Sequence, residues 1–163
     1  MKPVFALFFV LPLLLASCDH HDDVPDVDVT VTVSGCTVVD DVIYIVQGDG
    51  FKVVSVNLEN HGGKNAVIGS VVYLWDYVRV GDSMIAPYSY NFNTSAAELG
   101  RHVFQLEAAV YAVDYAPAIA FLSYDVIVVD KADDVPGGSS VDPAATFDLM
   151  ANMTKGAQSD SGK

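Results

Sequence analysis

Cysteine and basic residues are scarce in this chain. Its 163 residues include only two cysteines, and 8 Lys plus Arg stand against 21 Asp plus Glu, which gives a formal charge of −13. Two cysteines supply no disulfide framework of the kind that stabilises small secreted domains. The acidic balance argues against nucleic acid as a partner, because like charges repel. A hydrophobic core must therefore hold the protein together, and the chain is long enough to form one.

Recognisable catalytic motifs are missing as well. The sequence has no Gly-x-Ser-x-Gly, no His-Glu-x-x-His and no phosphate-loop pattern. Aspartates recur at predicted turns, but they lack the spacing of a calcium-binding loop, and ordinary turn chemistry explains them. They are Asp40, Asp41, Asp49, Asp76, Asp82 and Asp114. We therefore predict a protein that is not an enzyme and that has no cofactor and no metal site.

No apolar run is long enough to span a bilayer, but a shorter one opens the chain. Residues 4–15 are almost entirely apolar and follow Lys2, whereas a membrane span needs about 20 residues. The run has the length of the hydrophobic region of a signal peptide. Leu15-Ala16-Ser17-Cys18 comes next. It resembles a bacterial lipobox, in which the cysteine thiol is acylated and the cysteine becomes the new N-terminus.

The lipobox resemblance implies a lipoprotein signal peptide over residues 1–17 and a palmitate-type lipid on Cys18. A plain secretory signal with an incidental cysteine, or an uncleaved anchor, are the alternatives. If Cys18 carries lipid, Cys36 has no partner within the chain and is expected to be a partly buried free thiol.

An acidic tether follows the predicted lipidation site, over residues 18–26. It contains Asp19-His20-His21-Asp22-Asp23, whose side chains are of the kinds that ligate zinc or nickel. Ordering such a run on a metal costs conformational free energy, so a spacer or sorting signal is the preferred interpretation.

Strand patterns begin at Val27. Val27, Val29, Val31 and Val33 alternate with polar residues, which is the two-residue period of a half-buried strand. Similar segments, separated by turn signals, follow at residues 42–46, 51–58, 67–80, 88–92, 101–113 and 119–129. Seven to eight strands without a convincing amphipathic helix predict an all-β fold, an antiparallel β-sandwich over residues 27–130.

The composition changes again after Asp130. Pro136-Gly137-Gly138-Ser139-Ser140 is typical of a flexible linker, and Asp142-Pro143 is a signal that starts helices. Residues 131–163 are therefore predicted to be mostly a disordered, flexible tail, with a short helix over residues 144–153.

Four short motifs resemble bacterial Ig-like (PKD/Ig-like) domains. They are Val71-x-Tyr73-x-x-Asp76, Pro87-Tyr88, Leu99-Gly100-Arg101-His102-x-Phe104-x-Leu106 and Tyr124-x-Val126-x-Val128-Val129-Asp130. The resemblance covers residues 27–130. It implies an Ig-like β-sandwich with Trp75 at the central-strand core position, without the disulfide that antibody-type domains place beside it.

Lipobox, acidic tether and Ig-like domain together look like a Bacteroidetes-type lipoprotein. In that group, acidic residues after the lipidated cysteine accompany export to the outer face of the cell. In enteric-type bacteria, an Asp at the position of Asp19 means retention at the inner membrane instead. The resemblance implies an outer-membrane lipoprotein, on the cell surface or the periplasmic face, whose partner is the membrane through its N-terminal lipid.

Aromatic residues concentrate on two neighbouring strands. Tyr73, Trp75 and Tyr77 share one face, and Tyr88, Tyr90 and Phe92 share a face of the hairpin partner. A ladder of this kind is either sandwich core or a platform that stacks against sugar rings, and core is preferred. Tyr77 and Tyr88, beside the turn at Gly81, are expected to be exposed and to face a ligand.

Three functions fit these features. The leading one is a non-catalytic, membrane-anchored Ig-like lipoprotein that binds a glycan or an envelope protein. The second is a structural subunit of a pilus or another envelope assembly, with the valine-rich strand 27–33 as a donated strand. The third is an accessory or inhibitor subunit of a secreted hydrolase. An Ig-like fold by itself does not decide between them.

Overall fold

The computed structural model describes residues 23–62, 65–136 and 144–155, and these residues form ten strands. The strands are β1 (Val27–Ser34), β2 (Thr37–Val39), β3 (Val42–Val46), β4 (Lys52–Asn60), β5 (Ala66–Trp75), β6 (Val78–Ser83), β7 (Tyr90–Asn91), β8 (Gly100–Ala112), β9 (Ala118–Val129) and β10 (Thr146–Lys155). Two short 3₁₀ turns occur at Thr94–Ala96 and Ala132–Asp134. No helix within these described ranges is long and apolar enough to cross a membrane.

The strands make two sheets that pack face to face. One sheet has the order β10-β1-β4-β7, and the other has the order β6-β5-β8-β9, with β3 and β2 beyond β9. All pairs are antiparallel except β3 with β9. The first half of β10 pairs with β1 and the second half with β9, so this strand joins the two sheets along one side. The predicted all-β, Ig-like β-sandwich is confirmed.

The core lies between the two sheets and follows the alternation of the sequence. On β1, Val29, Val31 and Val33 are fully buried and face the other sheet, where Phe104 and Leu106 of β8 are fully buried too. Burying a side chain of this kind contributes about 1.5–3 kcal/mol. Cys36 is also fully buried, as a free thiol, and burial raises its pKa to about 12.

Two predicted boundaries were wrong. The helix predicted over residues 144–153 is strand β10, so the sandwich extends beyond Asp130. Leu149 is buried, and Phe147, Ala151 and Met153 pack against the core from the same side. Pairing with the open edges of β1 and β9 outweighs the modest helical propensity of this segment.

The second boundary concerns the long strand predicted over residues 67–80. A tight turn at Asp76 and Tyr77 divides it into β5 and β6. Both turn residues have a positive φ, as in the type I′ turns that suit the twist of a hairpin.

The sandwich has two poles. At the N-terminal pole, the backbone N–H of Ala116 donates to the Asp23 carbonyl and that of His61 donates to the Asp26 carbonyl. Lys155 pairs with Ala118 at the same pole. The opposite end, here called the aromatic pole, holds Trp75, which pairs with Phe104. The predicted signal peptide, Cys18 and most of the predicted tether lie outside the described residues.

Candidate functional site

Aromatic rings fill the core at the aromatic pole. Phe92 packs against Phe51 with ring centroids 5.1 Å apart and against Phe104 at 5.4 Å. Tyr73 and Tyr90 stack almost in parallel, with centroids 4.7 Å apart. Because Tyr73 is fully buried, it belongs to the core. The aromatic ladder is therefore mainly core, with Trp75 at its outer end.

A cavity of about 260 Å³ opens beside these rings. Its aromatic and aliphatic wall consists of Trp75, Val80, Tyr90 and Phe92, and its rim consists of Asn93, Thr94, Ala96 and Ala97. We call this cavity the aromatic pocket. Trp75 lies at the end of β5, Val80 lies on β6, and the other residues belong to β7 and the segment that follows it.

The rim is held by hydrogen bonds to the loop between β3 and β4. The hydroxyl of Thr94 donates to the Asp49 carbonyl, and the amide of Gln47 donates to the Ala97 carbonyl at 2.7 Å. The N–H of Phe92 also donates to the Phe51 carbonyl. These bonds fix the rim from a neighbouring element, so the pocket is preformed.

The pocket opens beside the edge of one sheet. Among the described strands only β5 pairs with β6, and Val78 and Val80 of β6 are exposed. Tyr90 is the one ring of β7 that reaches β6. It lies directly against the α-carbon of Gly81, where a Cβ would collide with it, and its hydroxyl donates to the Val80 carbonyl at 2.6 Å.

An ionisable pair lies beside Trp75. His102 lies 5.2 Å from the Trp75 ring, and its side chain is 10 % exposed. Nδ1 of His102 is 2.7 Å from the Asp76 carboxylate, and Nε2 is 2.8 Å from the Glu98 carbonyl. With an acceptor at each ring nitrogen, the doubly protonated imidazolium satisfies both bonds.

The pKa of His102 reflects this arrangement. Burial alone would lower that pKa. The hydrogen bonds to Asp76 and to the Glu98 carbonyl, together with the negative charges of the Asp76 and Glu98 carboxylates, raise the pKa above its ordinary value. Asp76 also accepts a hydrogen bond from the N–H of Val103 at 2.9 Å. The carboxylate therefore ties the β5–β6 turn to the start of β8.

The two aromatic residues predicted to face a ligand have different environments. Tyr77 is 72 % exposed at the tip of the β5–β6 turn, but it does not line the aromatic pocket. The expected exposure of Tyr88 is not found. Tyr88 is half-buried because its ring packs on the core and its hydroxyl donates to the Ile68 carbonyl at 2.8 Å.

The residues of the rim were not predicted from the sequence. Asn93, Ala96 and Ala97 lie in a connection without a recognisable motif, and only its contacts with Gln47 and Asp49 bring it over Trp75. A pocket made by such long-range contacts leaves no local pattern in the sequence.

A second, polar cavity of about 410 Å³ lies on the edge of β9, between the ends of β3 and β10. It is lined by Asp41, Tyr124, Asp125 and Asn152, among others. Burial, and then the charge of Asp41, raise the pKa of Tyr124. Among the described residues, no group of three or more His, Cys, Asp or Glu could hold a metal ion.

Comparison with known proteins gives a likeness in structure. No protein-family model matches the chain, and no curated protein matches it. Among solved structures, the chain is similar to the fibronectin(III)-like modules of Clostridium thermocellum CbhA, at 22 % identity and a TM-score of 0.37. That match covers 58 % of this chain and 94 % of the other. The description of the fold therefore rests on the strand pairing of this chain and not on that match.

Proposed function

We propose that the protein is a non-catalytic binding module, held at the cell envelope by a lipid on Cys18, and that its aromatic pocket binds a sugar ring of a glycan. The observation that carries the proposal is the preformed pocket with Trp75, Tyr90 and Phe92 in its wall. Aromatic faces attract the apolar faces of flat rings, and polar groups at a rim select orientation.

The size of the pocket and the charge of the protein limit the class of ligand. Pockets for drug-sized ligands occupy about 300–1,000 Å³, so this smaller pocket suits a single ring or the end of a chain. None of the described residues that line the pocket is basic, and the chain as a whole carries a formal charge of −13. An anionic ligand would be repelled, so we assign neutral sugars as the ligand class.

The position of the pocket suits an anchored protein. Asp23 lies at the N-terminal pole, and the pocket lies at the aromatic pole. On β8, Phe104 lies at the aromatic pole and Ala112 lies at the N-terminal pole. The two residues are eight positions apart, which is about 27 Å along a strand. A tether at residues 18–26 would therefore direct the pocket away from the membrane.

Intrinsic fluorescence tests this proposal directly, because Trp75 is the only tryptophan of the chain. We expect neutral oligosaccharides from a panel to change the Trp75 emission with a saturable dependence on concentration. Ala96→Leu adds bulk at the exposed rim without touching the core, and it should weaken binding at least tenfold.

Tyr111→Ala is the matched control, since Tyr111 is an exposed aromatic residue near the N-terminal pole. It should leave binding unchanged. Two outcomes would contradict the proposal: no emission change with any neutral glycan, or equal binding by the wild type and Ala96→Leu. Saturable binding of envelope proteins alone, blocked by Ala96→Leu, would replace the glycan with a protein ligand at the same pocket.

The strand that the assembly-subunit alternative requires for donation is part of this sandwich. The valine-rich segment 27–33 is β1, which pairs with β10 on one edge and β4 on the other within the same chain. Its valines are core residues, so releasing β1 would expose the core.

A further inference from the structure

One edge of the sandwich combines an open strand with exposed apolar side chains. β6 is the last strand of its sheet, and among the described strands only β5 pairs with it. Five large apolar side chains within residues 77–85 are between 41 and 79 % exposed. They are Tyr77, Val78, Val80, Met84 and Ile85. Open strands of this kind present unpaired backbone groups and invite pairing with another strand.

This edge is neutral within an acidic molecule. Arg79 and Asp82 are the only charged residues from Tyr77 to Ile85, and they form an exposed ion pair at 2.7 Å. The chain as a whole has a formal charge of −13. Two copies would repel each other over most of their surfaces, so a neutral edge is where they can approach.

The sequence of β6 is complementary to itself. Arg79 pairs with Leu74, Asp82 pairs with Val72, and a register shift lies between them. The extra residue puts Arg79 and Asp82 on the same face of the sheet, which agrees with their direct contact. If a second β6 lies antiparallel across a two-fold axis near Gly81, each Arg79 stands opposite the Asp82 of the other copy.

We propose that β6 is a homodimer interface, in which two copies of the chain join antiparallel through this edge. Backbone pairing would provide the register, and the two crossed ion pairs would make the contact specific for a second copy. The exposed Val78 and Val80 belong to β6 itself and would be partly covered by the second copy. Arg79 and Asp82 do not line the aromatic pocket, so reversing their charges tests the dimer apart from glycan binding, whereas Val80 belongs to both surfaces.

Charge reversal tests the interface in the full-length protein in detergent, with mass measured by sedimentation. We expect a concentration-dependent dimer for the wild type. Arg79→Asp and Asp82→Arg should each weaken it about tenfold or more, since each places like charges opposite one another. An equimolar mixture of the two variants should recover the dimer, because every opposed pair is then attractive. The double variant Arg79→Asp/Asp82→Arg should recover it alone.

The sign of the charge change in each variant distinguishes a specific interface from general repulsion between acidic molecules. Asp82→Arg makes the protein less acidic, so a purely general effect would strengthen association rather than weaken it. Arg101→Asp changes charge as Arg79→Asp does, but on an exposed position of β8, and should leave the dimer intact. Circular dichroism checks that each variant is folded. A monomeric wild type at every concentration, or charge reversals that dimerise like the wild type, would overturn the proposal.

Discussion

At the scale of single residues, Asp76 explains why the aromatic pole has a defined shape. Its backbone occupies a left-handed conformation that Asp tolerates better than most residues, which allows the two-residue turn after Trp75. Its carboxylate then reaches across to His102 and to the N–H of Val103. This one residue thus forms the turn, joins two strands and positions the histidine beside Trp75.

His102 should make the stability of this pole depend on pH. Its pKa is raised in the folded protein, so its contribution is complete below the unfolded pKa of about 6.5 and is lost as pH rises through the folded pKa. His102→Gln should lower the free energy of unfolding by about 1–2 kcal/mol at pH 5.5, and by less at pH 8.5. Urea unfolding at both values measures this.

His61→Gln is the control for that experiment. His61 bonds to Asp28 at the N-terminal pole, and this hydrogen bond raises its pKa as well, but the pair is exposed. Both variants remove one titrating histidine, and only His102→Gln should also shift the emission of Trp75. An equal loss for His102→Gln at the two pH values would show that the charge of His102 is not stabilising.

Residue-scale prediction succeeded where a motif was local. The Val71-x-Tyr73-x-x-Asp76 motif correctly indicated two inward side chains followed by an acidic turn, and both Val71 and Tyr73 are fully buried. The partners of Asp76 could not be predicted in the same way. His102 is 26 positions away, and only the β5–β8 pairing brings the two together.

At the scale of elements, β10 is the least expected part of the fold. It completes the hydrogen bonding of β1 on one side and of the first third of β9 on the other. Without β10, two strands whose inner faces are core would have open edges. The strand contributes one buried residue, Leu149, and several half-buried ones.

Leu149→Ala tests whether β10 contributes to global stability. We expect a loss of about 2–3 kcal/mol in the free energy of unfolding, from the missing buried surface and the cavity left behind. Met150→Ala, on the exposed face of the same strand, should change it by about 0.5 kcal/mol or less. Urea denaturation of both variants gives the comparison. Equal, small effects would mean that this segment is only loosely attached.

The sequence contains the strand period of β10, but other signals obscure it. Phe147, Leu149, Ala151 and Met153 alternate, yet Ala, Leu and Met are also good helix formers, and Asp142-Pro143 precedes them. In longer segments such as β8 and β9, the aromatic and β-branched residues decided for strands. The fold class was therefore predictable, whereas the position of the last strand depended on which edges were free.

At the scale of the whole molecule, the proposed membrane anchor and the proposed binding pocket lie at opposite poles. The described chain begins at Asp23 and ends at Lys155, and both residues lie at the N-terminal pole. The aromatic pocket lies at the opposite pole, and β6 leads away from it along one side of the sandwich. An anchor at the N-terminal pole would leave both the pocket and the β6 edge accessible.

Lipidation at Cys18 is the prediction on which this orientation depends. Cells grown with a labelled fatty acid should incorporate the label into the wild-type protein, which should fractionate with membranes. Cys18→Ala should abolish the label, because the chain has only one other cysteine. That residue, Cys36, is fully buried in the sandwich and its thiol pKa is raised to about 12, so it is a poor nucleophile.

Cys36→Ala is therefore the matched control, and it should keep the label and the membrane fraction. Each buried CH₂ of an acyl chain adds about 0.8 kcal/mol to membrane affinity, so several chains on Cys18 would hold the protein firmly, and their loss should release it. Label that persists in Cys18→Ala, or that disappears in Cys36→Ala, would contradict the predicted anchor. In either case the N-terminal pole could no longer be assigned to the membrane side, although the pocket and the β6 edge would still be testable in solution.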